Sequence, residues 1–131
     1  MGSQQLLLII IGIIVVGIAI AVGLTMFNDS SVTQNRAAVA SDLQRLAGQA
    51  HAYWKTPASM GGGDHKFTGA TMAKLTSAPT NDNGTYSLVG APDSLTCVIN
   101  GKGVEKADGT SNVEMEITVN AYTKDEMEQV H

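Results

Sequence analysis

The first charged side chain in this sequence is Asp29. Nothing from Met1 to Asn28 carries a charge, and all 12 acidic and 8 basic side chains fall in the rest of the chain. Between Leu6 and Leu24 stand 14 Leu, Ile and Val residues, with no proline among them. A helix over Leu6–Phe27 would be about 33 Å long at ~1.5 Å per residue, enough to cross a hydrocarbon core of about 30 Å. Fully burying those aliphatic side chains is worth on the order of 20–40 kcal/mol as an upper bound, at ~1.5–3 kcal/mol each. The remainder of a 131-residue chain cannot wrap such a helix on every side. The helix must go into lipid or among copies of itself.

A secretory signal peptide is the competing reading. It requires a basic leading segment and an apolar stretch of only about 7–15 residues. None of Met1–Gln5 is basic, and the apolar run is too long. The net charge of −4 and a pI near 5.1 argue against a nucleic-acid partner. The single cysteine, Cys97, excludes an internal disulfide; within the apolar run Leu95–Ile99 it reads as a buried strand thiol.

Three segments follow from the pattern: 1–28, an apolar filament-core or transmembrane helix; 29–56, an amphipathic helix; and 57–131, a globular β-rich head. In the first, Gly12, Gly17 and Gly23 punctuate the helix and permit close backbone approach between packed helices, without forming a GxxxG pair. In the second, Val32, Val39, Leu43, Leu46, Ala50 and Tyr53 make one helical stripe. Arg36 interrupts it where its stem could cover apolar surface. Asn28-Asp29-Ser30 either caps a new helix or marks a small bend. Lys55-Thr56-Pro57 and Gly61-Gly62-Gly63 end the helix. In the third, Thr71–Leu75 reads as a short helix, and Thr85–Val89, Leu95–Asn100 and Val113–Tyr122 read as strands. Asn83-Gly84, Asn100-Gly101 and Asp108-Gly109 are expected turns of an antiparallel meander. Three strands alone are marginal, so the stripe Val32–Tyr53 should lie across their apolar face. The expected class is α+β: a long N-terminal helix, apolar then amphipathic, packed on a small antiparallel sheet.

That layout, with the stretch from Met1 to Ile20 carrying most of it, resembles the type IV pilin superfamily. The resemblance implies a structural subunit of an extracellular helical filament serving adhesion, motility or surface attachment, and a homo-oligomer of identical subunits. It implies residence in the inner or cytoplasmic membrane before assembly and in the extracellular filament afterwards. It also implies a prepilin peptidase, an assembly machinery and a methylated N-terminus. Two registers are open. With Met1 as the first mature residue, which is the expectation, the fifth is Gln5; with Gly2 as the cleavage-site glycine, the chain starts at Ser3 and the fifth is Leu7. Neither is the glutamate of the bacterial pattern, so the resemblance is to an archaeal-like or divergent bacterial member. The assembly core would comprise Met1, Gln5, Leu6, Ile10, Gly12, Ile13, Gly17, Ile20, Gly23 and Phe27.

Other candidate sites are weaker. His51, His65 and Asp64 have no ligand spacing, so no metal is expected. Asn81-Asp82-Asn83-Gly84 lacks the closing glutamate of a calcium loop and reads as a turn. No nucleophile triad, phosphate loop or haem motif is present, so neither enzymatic activity nor a cofactor is expected. Asn28-Asp29-Ser30 and Asn83-Gly84-Thr85 match the N-glycosylation sequon. Two alternatives to a filament subunit remain: a pseudopilin of a type II secretion or DNA-uptake system, and a membrane-anchored binding domain that never polymerises.

Overall fold

The computed structural model describes residues 2–130. One helix, α1, runs unbroken from Gly2 to Lys55, 54 residues and about 80 Å at ~1.5 Å per residue. Asn28-Asp29-Ser30 therefore neither starts a new helix nor interrupts the old one. Thr25 and Thr33 donate their hydroxyls to the carbonyls of Ala21 and Asp29. These polar side chains are thus satisfied on the helix itself.

Beyond a 3-10 turn at Ala58–Met60, the head contains α2 (Met72–Leu75) and five strands. These are β1 (Thr80–Asn81), β2 (Gly84–Leu88), β3 (Thr96–Lys106), β4 (Asn112–Asn120) and β5 (Glu126–Gln129). They form one antiparallel meander in chain order. The expected strands are present, and β1 and β5 add an edge on either side. On β4, Val113, Met115, Ile117 and Val119 point inward while Glu114, Glu116, Thr118 and Asn120 are half-buried on the other face. This is the period-two pattern of a sheet covered on one side.

The covering layer is the second half of α1. Val39, Leu43, Leu46, Ala50 and Tyr53 pack with Tyr86, Cys97, Ile99, Ile117 and Val119 in one core. Val32, at the edge of the stripe, is only half-buried. Asn35, Ala47 and Trp54 are buried with the stripe, though the sequence does not single them out.

Asn100-Gly101 is not a turn. It lies inside β3, where Gly101 pairs with Tyr86 on one side and Met115 on the other. A Cβ on Gly101 would stand 2.9 Å from both Tyr86 and Val39. The glycine serves close approach of helix to sheet, a role that overrides the local turn chemistry of Asn-Gly.

The end of α1 is closed by the chain that follows it. Gly63, Asp64 and His65 donate their backbone N–H groups to the carbonyls of Tyr53, Thr56 and Trp54 at 2.9, 3.0 and 2.7 Å. Asp64 and His65 adopt φ of 50° and 63°, a left-handed turn that folds the loop back over the helix end.

Candidate functional site

A fully exposed apolar helix is the feature that needs a partner. From Gly2 to Ser30 every described residue of α1 is exposed. Ile9, Ile10, Ile13, Ile18, Ile20 and Phe27 retain 54–69 % of their surface. Around Gly12, Gly17 and Gly23 nothing lies within 4 Å of where a Cβ would stand. Their small size therefore serves no contact within the chain. Gln5, Leu6, Ile10, Gly12, Ile13, Gly17, Ile20, Gly23 and Phe27 all project from this stem, and Met1 lies outside the described residues. The helix is long and apolar enough to cross a membrane.

Where the stem meets the head, the tip of the β3–β4 hairpin returns to the helix. Asp108 Oδ1 accepts the N–H groups of Thr110 at 2.9 Å and Ser111 at 2.6 Å, and Gly109 takes φ 80°, forming the tight turn. The ladder between β3 and β4 slips between Lys102 and Lys106. The side chain of Asn35 fills that slip: its Oδ1 accepts the N–H groups of Val104 at 3.1 Å and Glu105 at 3.2 Å. Its Nδ2 donates to the Asn83 carbonyl at 2.9 Å. A groove of about 460 Å³ remains between Asn28, Asp29 and Val32 on the helix and residues Val104 to Gly109 on the hairpin.

The other candidate residues are dispersed. Asn28 is exposed on α1, at this junction. Asn83 is half-buried, and its Nδ2 already donates to Asp42 Oδ2 at 3.0 Å. His51 Nε2 lies 3.1 Å from both carboxylate oxygens of Asp125, tying α1 to the segment before β5. His65 instead stacks edge-on against Trp54, with ring centres 4.7 Å apart. Asp64 takes part through its backbone N–H alone among the described contacts. Among the described residues no three His, Cys, Asp or Glu side chains converge on a point that could hold a metal ion. Cys97 is buried in β3, and burial pushes its thiol up to about 11.

Sequence reasoning missed two side-chain hubs, Asn35 and Asp42. Both are polar residues on a helix that reads by its apolar positions, and their partners come from segments far away in sequence. No family model, curated protein or solved structure matches the chain.

Proposed function

We propose that this protein is the structural subunit of a helical filament of the type IV pilin kind, held in the membrane by its stem before assembly. The stem then packs among identical stems, with the heads outside. The observation that carries this reading is the complete exposure of residues 2–30 beside a head whose own core is already covered. The head buries the amphipathic half of α1 and leaves the apolar half untouched.

Lipid tails are as apolar as leucine, so moving the stem from bilayer to bundle gains little from the hydrophobic effect. The preference must come from packing, and glycines that meet nothing within the chain let neighbouring backbones come close. A staggered, non-closing contact between identical parallel stems gives an open filament. In this reading the role is adhesion, motility or surface attachment, and the subunit works as scaffold rather than catalyst. The implied peptidase and assembly machinery act before polymerisation, and the N-terminus carries methylation. Of the two sequons, Asn28 offers an exposed amide, whereas a glycan on Asn83 would displace its bond to Asp42.

Electron microscopy of material sheared from cells making this protein tests the proposal. Long filaments whose subunit mass matches this chain are expected. Recovery of the protein only from the membrane fraction, as separate subunits, would favour a non-polymerising anchor. Short cell-bound rods would favour the pseudopilin role.

A further inference from the structure

We propose that the tip of the β3–β4 hairpin, with Asn28, Asp29 and Val32, is a contact surface for lipid headgroups carrying an ammonium group. It rests on the membrane-resident step of the proposed function.

The argument is one of lengths along a single rigid helix. Centring Leu6–Phe27 on a hydrocarbon core of about 30 Å places the water-side edge near Phe27. The headgroup layer adds about 5–7 Å on that side, or roughly 3–5 helical residues. Residues 28–32 therefore stand inside it. These are the residues that form one wall of the groove whose other wall is Val104 to Gly109. Because α1 continues without a break from stem into head, no linker lifts the head away from the bilayer. A spanning stem thus brings the hairpin tip to the depth of the headgroups, and the chemistry of the groove sets how closely the two associate.

The chemistry of the groove selects among headgroups. Asp29 and Glu105 line it against the base Lys106, beside Asp108, whose Oδ1 is taken by the N–H groups of Thr110 and Ser111. Excess negative charge repels anionic headgroups and favours an outward ammonium, as on phosphatidylethanolamine. Val32 and the 56 % exposed Val104 add apolar surface to the groove within the headgroup layer.

The test uses the full chain in vesicles. A cysteine is introduced at exposed Thr110 (T110C) and, separately, at exposed Ser94 (S94C), and each is labelled with a small fluorophore. Native Cys97 is buried and stays unlabelled under native conditions. The Ser94 carbonyl accepts the Phe67 N–H, and Phe67 stacks near His51, about 28 Å further along the helix axis than Val32. With a quencher on the lipid headgroup, the Thr110 label loses most of its emission in phosphatidylethanolamine-rich vesicles and the Ser94 label keeps its own. Replacing the lipid by phosphatidylglycerol weakens quenching at Thr110. The combined substitutions Asp29→Asn and Glu105→Gln restore it. Equal quenching at both positions, or none at Thr110, overturns the contact, and indifference to headgroup charge overturns the ammonium preference. A chain that does not float with the vesicles overturns the membrane step itself, and this contact with it.

Discussion

Asp42 lies on the flank of α1, outside the apolar stripe, yet three side chains from one hairpin converge on its Oδ2. Asn81 Nδ2 donates at 2.9 Å, Asn83 Nδ2 at 3.0 Å and Tyr86 Oη at 2.6 Å. Arg45 stands 4.0 Å from Oδ1. Burial alone would push this carboxyl up, but those donors and the Arg45 charge hold it below its ordinary value of 3.8. For Tyr86, burial and the bond to Asp42 act together, and the phenol is held well above its ordinary 10.0. A depressed acid contributes stability above its unfolded value and loses it as pH falls through the folded one. A raised phenol keeps its contribution below ~10 and loses it as pH climbs beyond. Urea unfolding of the detergent-solubilised chain should therefore give a stability plateau between roughly pH 5 and pH 9 that falls on both sides. Asp42→Ala should lower the plateau by about 2–3 kcal/mol, since charged hydrogen bonds are lost and buried donors stranded. Asp42→Asn should flatten the acid limb. The polar hub at Asn35 makes a second test: Asn35→Ala leaves the N–H groups of Val104 and Glu105 and the Asn83 carbonyl without this partner. The expected loss is about 1–3 kcal/mol, with faster amide exchange at Val104 and Glu105.

Elements, unlike these hubs, were largely legible, because periodicity is a local signal. The stripe from Val39 to Tyr53 has helical spacing and is buried; Val113 to Val119 alternates and forms the central strand β4. Asp108-Gly109 turns where turn chemistry predicts. What could not be read depends on contacts remote in sequence. β1 is a two-residue strand, both residues exposed, and β5 is the mostly polar Glu126–Gln129; each is a strand only because a neighbour offers a free edge. Gly101 looks like half of a turn and is instead a place where α1 lies close on β3, with Val39 2.9 Å from where a Cβ would stand. Gly101→Ala should therefore destabilise the head by about 1–3 kcal/mol, as overpacking against Tyr86 and Val39 forces helix and sheet apart. Thermal unfolding followed by far-ultraviolet circular dichroism would record it. The same split holds for the candidate site. The stem is legible as an absence of charge, whereas the groove at its upper end is not, since it exists only because residues 104–109 fold back to the helix.

The whole molecule joins two materials: a head with its own core and a stem whose residues 2–30 are all exposed. Changes in the stem should therefore leave the head's stability alone, which separates effects on insertion, packing and folding. Ile13→Lys puts a charge near the middle of the span and raises the insertion free energy by about 3–4 kcal/mol, counting the lost isoleucine. Membrane yield should fall, while urea unfolding of what is recovered matches the parent. Gly17→Leu is the sharper probe. It adds apolar surface, improves helix propensity by somewhat less than the ~1 kcal/mol that separates glycine from alanine, and meets nothing within 4 Å in the subunit. Insertion and head stability are thus preserved. If stems pack closely on one another, the added side chain holds neighbouring backbones apart and filaments disappear from electron micrographs while membrane levels stay normal. Were the stem surrounded by lipid alone, the leucine would be silent in every measurement. A chain defective only in assembly would show that Gly17 is there for another copy of the protein.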